Sequence, residues 1–198
     1  ESRPAFADID SDGDFDFFVG GLNGKIHFYP NIGSALAPSF PDQEGGDNPF
    51  GITDVGENSA PAFADIDSDG DLDLFIGNEI GRILFFRNSG SANQPAYTQE
   101  GGDYPYVFFN LSRSPHPALA DIDGDGDLDL FVGNTYGTVN FFRNTAAPGA
   151  TNPAYTQEGG DTPFGIPDIG LLASPALVDI DGDGDLDLFT AALYSGNT

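Results

Sequence analysis

The segment Asp65-Ile66-Asp67-Ser68-Asp69-Gly70-Asp71-Leu72-Asp73 lies between two short apolar stretches, Pro61–Ala64 and Leu74–Gly77. Closely related nine-residue segments, each with apolar stretches before and after it, occupy residues 8–16, 121–129 and 179–187. The starts of the four segments are separated by 57, 56 and 58 residues. A nearly constant period of this length is typical of a repeat architecture.

The apolar stretches have the length and composition of β-strands. They are short, rich in Phe, Val, Ile and Leu, and bounded by Gly, Asn and Pro. Apolar residues nowhere recur at helical spacing, and Pro or Gly interrupts every candidate helix. In the stretch after the Asp segment, Leu74 and Ile76 share one face of the strand and Phe75 lies on the other. A strand that is apolar on both faces must be covered on both sides, which favours small sheets packed face to face or radially.

Each full repeat contains four such segments. The third is represented by Gly81–Asn88 and Gly137–Asn144, and the fourth ends in the recurring sequence QEGGD. Four short strands per repeat form the unit of a β-propeller blade. We therefore predict an all-β fold of propeller-type blades, each with four antiparallel strands, in about 3.5 repeats that form an incomplete or open propeller. The predicted boundaries are 1–58, 59–114, 115–172 and a partial fourth repeat at 173–198.

The charge of the chain is strongly negative, with 6 basic and 32 acidic residues and a net charge of −26. This charge disfavours nucleic acid and anionic membrane surfaces as partners, and no apolar run is long enough to span a bilayer. Twenty of the acidic residues lie in the four Asp segments, and the other 12 acidic and 6 basic residues leave a net charge of only −6. The acidity therefore points to local sites more than to a partner.

The Asp segments have the pattern of a cation-binding loop. Asp stands at loop positions 1, 3, 5, 7 and 9, and Gly at position 6 permits a sharp turn. Carboxylates at positions 1, 3 and 5 can converge on one ion, the position 7 carbonyl adds an oxygen, and position 9 closes the site directly or through water. On this reasoning Asp71 contributes mainly its carbonyl and its side chain faces solvent, whereas Ile66 anchors the loop in the core.

Calcium fits this all-oxygen pattern better than magnesium, which requires strict octahedral geometry, or a transition metal, because no His or Cys joins the cluster. The loop is not an EF-hand, since position 12 is Val, Ile or Thr instead of Glu. The alternative of a solvated acidic turn would leave five mutually repelling carboxylates in nine residues, four times over. We predict about four Ca²⁺ ions, bound by Asp8, Asp10, Asp12, Asp14, Asp16, Asp65, Asp67, Asp69, Asp71, Asp73, Asp121, Asp123, Asp125, Asp127, Asp129, Asp179, Asp181, Asp183, Asp185 and Asp187.

Three weaker features leave alternatives open. The pairs Phe85–Phe86 and Phe141–Phe142 form either core or a carbohydrate-stacking stripe, and their strand context favours core. Arg87 and Arg143 either reach a neighbouring carboxylate or are exposed. The QEGGD segments form either a tight Gly-Gly turn or a second, weak cation site, and the turn is favoured.

The repeat PAFADIDSDGDLDLFIGN, continued by GRILFFRNSG, resembles the FG-GAP/VCBS family of calcium-binding propeller repeats over residues 3–198. The resemblance implies β-propeller blades with a calcium ion between the first two strands of each blade, and an extracellular location. It also implies that the side chains at positions 1, 3, 5 and 9 of each loop are the ligands. Propellers of this family usually have about seven blades, so this chain, with three full repeats and the start of a fourth, departs from the pattern.

We therefore expect an extracellular or cell-surface calcium-binding propeller module that serves as a scaffold, an adhesion protein or a filament-forming protein. A carbohydrate-binding or carbohydrate-active module is the alternative. No catalytic residue is assigned, since the sequence has no Cys and no nucleophile motif and His27 and His116 occupy different repeat positions. The expected partners are calcium, further copies of the chain through open propeller ends, and surface glycans or proteins.

Overall fold

The computed structural model describes residues 2–41, 47–102, 111–147, 150–160 and 163–193. In this part of the chain there are two single 3-10 turns, Pro49–Gly51 and Pro163–Gly165, and no α-helix. The strands, in chain order, are β1 (Arg3–Ala7), β2 (Asp16–Gly20), β3 (Ile26–Tyr29), β4 (Ala60–Ala64), β5 (Asp73–Gly77), β6 (Ile83–Asn88), β7 (Tyr97–Glu100), β8 (His116–Ala120), β9 (Asp129–Gly133), β10 (Val139–Asn144), β11 (Tyr155–Glu158), β12 (Leu171–Val178) and β13 (Asp187–Leu193).

The strands form antiparallel sheets in which each strand pairs with its neighbour in sequence. The second and third repeats are four-stranded blades, β4-β5-β6-β7 and β8-β9-β10-β11. The first repeat has three described strands, β1-β2-β3, and the fourth has two, β12-β13. The predicted all-β fold of four-stranded propeller-type blades is therefore confirmed, and the described residues contain no closed sheet. They also contain no helix long and apolar enough to serve as a membrane span.

The first strand of each blade lies nearest the common axis, because β1 contacts β4, β4 contacts β8, and β8 contacts β12. These strands line a cavity of about 420 Å³, whose walls carry one proline from each blade at the same repeat position. Blades thus succeed one another around an axis, as in a propeller, and the Asp loops follow directly from the axial strands.

The core of the described residues consists of three clusters, each formed by the facing sides of two consecutive blades. In the first cluster, for example, the Phe18 ring of one blade lies 4.5 Å from the Phe63 ring of the next, centroid to centroid. Every residue of β5 and β9 is buried, so the predicted cover on both faces of the second strands is confirmed for these two blades. At one repeat position Phe18, Phe75 and Phe131 are at most 2% exposed, whereas Phe189 of the fourth blade is 50% exposed. Burial of this side chain therefore depends on the blade that follows.

The buried His116 makes stability depend on pH. Its Nδ1–H donates to the Ala173 carbonyl at 2.9 Å, while Nε2 is buried without a hydrogen-bond partner among the described residues. Burial, together with the nearby positive charge of Arg3, lowers the pKa of His116 to about 4. The unfolded chain binds this proton near pH 6.5, so the folded state loses stability as the pH falls from 6.5 to 4. We expect His116 to account for a loss of about 3 kcal/mol over this range.

The variant His116→Gln isolates this effect, because it keeps a hydrogen-bond donor and removes the titrating group. Urea unfolding of both proteins from pH 7.5 to pH 4 should show a difference in unfolding free energy that grows toward low pH. Parallel pH profiles for the two proteins would contradict the assignment.

Candidate metal centres

Each Asp loop connects the two strands of the first hairpin in its blade. In the second blade Ala64 of β4 pairs with Asp73 of β5, so residues 65–72 form the connection. The Ile66 side chain is buried, as the sequence predicted, and so is Ile9 in the first loop. In the first two loops an apolar anchor at position 2 thus holds one side of the loop against the core, whereas Ile180 of the fourth loop is exposed.

The carboxylates at loop positions 1, 3 and 5 converge in all four loops. In each loop, one ligand atom from each of the three residues lies within 4.8 Å of the other two. These triads are Asp8, Asp10 and Asp12; Asp65, Asp67 and Asp69; Asp121, Asp123 and Asp125; and Asp179, Asp181 and Asp183. Among the described residues these are the groups of acidic, His or Cys side chains that could hold a metal ion.

Backbone hydrogen bonds curl each loop around its first Asp. In the second loop the Asp65 carboxylate accepts the N–H groups of Asp69 and Gly70, both at 3.0 Å. The Asp69 carboxylate accepts the N–H group of Asp71 at 3.1 Å. The other three loops repeat these contacts, so position 1 organises the turn and positions 3 and 5 come next to it.

Glycine at position 6 is required by the backbone. Gly70 has φ = +93°, a backbone angle that residues other than Gly rarely adopt. A Cβ added there would meet no atom within 4 Å. Gly70→Ala should therefore act through backbone strain alone and destabilise the calcium-loaded chain by about 1–2 kcal/mol in urea unfolding.

Ser68 provides a control for Gly70→Ala, because the reverse change, to Gly, is not expected to lower stability. It also has a left-handed conformation, with φ = +59°, at a position where the third and fourth loops have Gly. Ser68→Gly should leave stability unchanged or raise it slightly. Equal stabilities of Gly70→Ala and the natural chain would show that the loop relaxes around the added methyl group.

In the first three loops the side chain of the Asp at position 7 is buried, contrary to the prediction from the sequence. The sequence predicted that the Asp71 side chain faces solvent, but the residue is only 9% exposed, and Asp14 and Asp127 at the same position are similarly buried. The loop turns this side chain inward because positions 8 and 9 continue directly into β5. The position 7 side chains of the first three loops are therefore buried, although the groups able to hold a metal ion consist of positions 1, 3 and 5.

The Asp at position 9 is the first residue of the second strand and is anchored from the third. Asp73 is 1% exposed, and its Oδ1 accepts the backbone N–H of Asn88 at 2.7 Å. The same bond, of the same length, joins Asn31 to Asp16 and Asn144 to Asp129. This anchor ties the loop to the third strand, and it leaves the second carboxylate oxygen of Asp73 and of Asp129 for another partner.

Several carboxylate oxygens at these loops are buried without a hydrogen bond. In the described part of the second and third loops they are Asp67 Oδ1, Asp71 Oδ1, Asp73 Oδ2, Asp127 Oδ2 and Asp129 Oδ2. Buried acceptors normally have a partner. Because these acceptors belong to loops that also hold an all-oxygen triad, the residues fit a hard divalent cation such as Ca²⁺.

The pKa values of these carboxyls point in the same direction. Burial, partly opposed by the Asn88 N–H and by Arg87, raises the pKa of Asp73 to about 7. Burial and the neighbouring carboxylates of Asp69 and Asp67 raise the pKa of Asp71 to about 6. Burial likewise raises the pKa of Asp16 and Asp129 to about 6. Such a cluster favours a proton or a bound cation over bare charge.

The fourth loop has the same turn but a more open setting. Its Asp185 and Asp187 are exposed, unlike their counterparts in the first three loops. Asp187 Oδ2 accepts the N–H of Ile180 at 3.3 Å, and the described residues of this blade include no third strand to anchor it. The twenty predicted Asp residues thus fall into three loops whose positions 7 and 9 are buried and one loop in which both are exposed.

The structure also resolves the open alternatives. Phe85, Phe86, Phe141 and Phe142 are buried, so these pairs are core. Each of the two arginines contacts its own Asp loop and the Glu at the end of the fourth strand. The Gly pairs of the second and third QEGGD segments have positive φ, as in a tight turn. The first of these segments, at 43–47, lies outside the described residues except for Asp47.

One contact was missed by the sequence reasoning. The Tyr97 hydroxyl donates to the Leu72 carbonyl at 2.7 Å, and Tyr155 makes the equivalent bond to Leu128 at 3.2 Å. Each Tyr comes from the fourth strand and contacts position 8 of its own blade's loop. The recurrence of AYTQE at both places was the signal that could have found it.

Comparisons with known proteins agree with this architecture. A family model described as FG-GAP-like repeat matches residues 8–76, 65–132 and 121–190. No curated protein matches the chain. A solved structure from a study of the specific recognition of non-reducing terminal N-acetylglucosamine by an Agrocybe aegerita lectin is 24% identical, with a TM-score of 0.52. The match covers 96% of this chain but 47% of that one, so the chain spans about half its length, and the likeness concerns the fold. With three overlapping matches from Asp8 to Thr190, the chain belongs to the FG-GAP-like repeat family.

Proposed function

We propose that the chain is an extracellular calcium-binding propeller module, used as a scaffold, adhesion or assembly-forming protein, in which Ca²⁺ stabilises each blade. The observation that carries the proposal is the same all-oxygen Asp triad at the first hairpin of every blade. Carboxylates at positions 1, 3 and 5 would hold the ion, and positions 7 and 9 would complete its oxygen shell. When bound, the ion supplies positive charge at the loop that connects the first two strands of a blade. The proposal gives the chain no catalytic role.

An extracellular setting suits sites of this kind. Calcium modules outside cells bind with dissociation constants of about 10⁻⁴–10⁻³ M, where the ion is always abundant and acts as a permanent structural part. A site that is always occupied cannot report changes in calcium concentration. Permanent occupancy therefore agrees with a scaffold more than with a calcium sensor.

Calcium titration tests the proposal. Isothermal titration calorimetry should give about four ions per chain, and Asp69→Asn should remove one of them because it replaces one carboxylate of the second triad. Glu57→Gln, an exposed acidic residue outside the loops, removes the same charge and should leave the stoichiometry unchanged. Failure to bind calcium at millimolar concentration would reject the proposal.

Carbohydrate binding is the second candidate, and similarity to a lectin fold is the observation that favours it. Surface glycans would then be the partner. A glycan array that includes terminal N-acetylglucosamine, read with calcium and with EDTA, separates the candidates. Binding to a defined glycan supports the lectin-like function, and a blank array supports a scaffold.

Self-association is the third part of the proposal, through the outer faces of the first and last blades. Phe6 and Phe15 are exposed on the first blade and Phe189 on the fourth, whereas their counterparts in inner blades are partly buried for the first two positions and buried for the third. Exposed apolar faces of this kind favour contact with another protein surface. Light scattering with calcium present should show species larger than one chain, and a sharp monomer would exclude this part.

A further inference from the structure

Arg87 joins three parts of the second blade. Its Nη1 lies 2.6 Å from Asp67 Oδ2 and 3.5 Å from Asp73 Oδ2, at loop positions 3 and 9. Its Nε donates to Glu100 at the end of β7, at 3.1 Å. The Arg87 side chain is 13% exposed and the Asp73 side chain 2%, so these charges interact with little screening by water.

Arg143 repeats the arrangement in the third blade. It contacts Asp123 at position 3, lies 4.0 Å from Asp129 at position 9, and donates through Nε to Glu158 at 3.2 Å. Each guanidinium also lies over a core ring of its own strand, Phe85 at 5.0 Å or Phe141 at 5.3 Å from the ring centre. Stacking of this kind restricts the guanidinium to one place.

The first blade has no guanidinium at this position. The residue 22 positions after the start of the first loop is Pro30, where the second and third repeats have Arg87 and Arg143. The first seven residues of loops one and two are identical, DIDSDGD, and their turns have the same hydrogen bonds. The first two loops are therefore nearly identical in sequence and turn, and the main difference among the described residues is that an arginine side chain contacts only the second.

We infer that Arg87 and Arg143 are built-in counterions that keep the second and third loops in shape when calcium is absent, whereas the first loop depends on calcium itself. The inference rests on the proposed calcium function. A fixed positive charge offsets the repulsion among five carboxylates, and its removal leaves buried carboxylates without an opposite charge. The first three loops therefore fall into two classes, one preformed by arginine and one ordered by the ion.

Among the described residues, Arg87 has an additional contact with no equivalent at Arg143. Its Nη2 donates to the Thr151 carbonyl at 2.6 Å and to Asn152 at 3.3 Å, both in the third blade. The counterion of the second loop thus also holds the next blade. A variant at Arg87 should consequently disturb the protein more than the same variant at Arg143.

Amide hydrogen exchange in EDTA tests the inference at equivalent glycines. Gly13, Gly70 and Gly126 each donate their N–H to the first Asp of their loop, at 3.0–3.1 Å. In the calcium-free natural chain, we expect the Gly13 amide to exchange about tenfold faster than the other two, a difference of roughly 1.4 kcal/mol in local opening. Arg87→Gln should bring Gly70 to the rate of Gly13 and leave Gly126 slow in the same molecule.

Two variants serve as controls. Arg113→Gln removes the same charge from an exposed residue away from the loops and should change none of the three rates. Arg87→Lys keeps the charge but loses the forked geometry, so Gly70 should exchange at an intermediate rate. If Arg87→Gln does not fold, Arg143→Gln, whose side chain is more exposed, gives the same test at Gly126.

The outcomes separate the inference from the function on which it rests. Equal rates at the three glycines of the natural chain, or a Gly70 rate unaffected by Arg87→Gln, would overturn the inference. Calcium that protects none of the three amides would overturn the proposed calcium function. Slow exchange at Gly70 and Gly126 in EDTA, with Gly13 slowed only by calcium, supports both.

Discussion

Excess EDTA at pH 7.5 is expected to lower the melting temperature of the chain by about 20 °C or more. In about 10 mM calcium, which is one hundred times a dissociation constant of about 10⁻⁴ M, each site contributes about 2.7 kcal/mol, so four sites contribute about 11 kcal/mol. For a chain of this size about 1 kcal/mol corresponds to 2–4 °C. Removing the ions also leaves twenty Asp carboxylates in four small loops, where they repel one another.

Differential scanning calorimetry in calcium and in EDTA measures this shift. Glu57→Gln should show the full shift, because it alters charge without touching a loop, and Asp69→Asn should show a smaller one. An unchanged melting temperature in excess chelator would contradict a structural role for calcium.

The repeats made most of the fold predictable from the sequence. Four copies of one pattern place the first two strands of each blade directly before and after the Asp segment, so that the loop between β4 and β5 could be recognised before its geometry was known. Apolar residues on both faces of β5 required cover on both sides, and the adjacent blades provide it. Convergence of positions 1, 3 and 5 followed from loop chemistry alone.

The details that could not be predicted depend on strand register and on neighbouring blades. Arg87 lies 20 residues from Asp67, and only the β5–β6 pairing brings the two side chains together. The Asp71 side chain was predicted to face solvent because loop rules assign its carbonyl to the ion, but entry into β5 buries it. Phe131 is buried and Phe189 is exposed, although both stand at the same repeat position. The difference depends on the next blade, and the sequence of a single repeat does not specify it.

The second large effect is expected at Gly77, the last residue of β5. A Cβ at Gly77 would overlap the backbone carbonyl oxygen of Pro115, just before the first strand of the next blade. The same close approach occurs at Gly20 and Gly133. Gly77→Ala should therefore destabilise the chain by about 4 kcal/mol, above the usual range for overpacking, since the obstacle is a backbone atom that cannot rotate away.

The fourth blade provides the matched control for Gly77→Ala, because Ala191 stands at the same repeat position and is exposed. Ala191→Gly should change the unfolding free energy by less than about 1 kcal/mol, the usual effect of Gly within a strand. It should, however, favour association in sedimentation velocity if chains pair as inner blades do, since the methyl group of Ala191 obstructs that approach. A Gly77→Ala chain as stable as the natural one would mean that blades can shift past Pro115. The close junction would then not be what sets the spacing between blades.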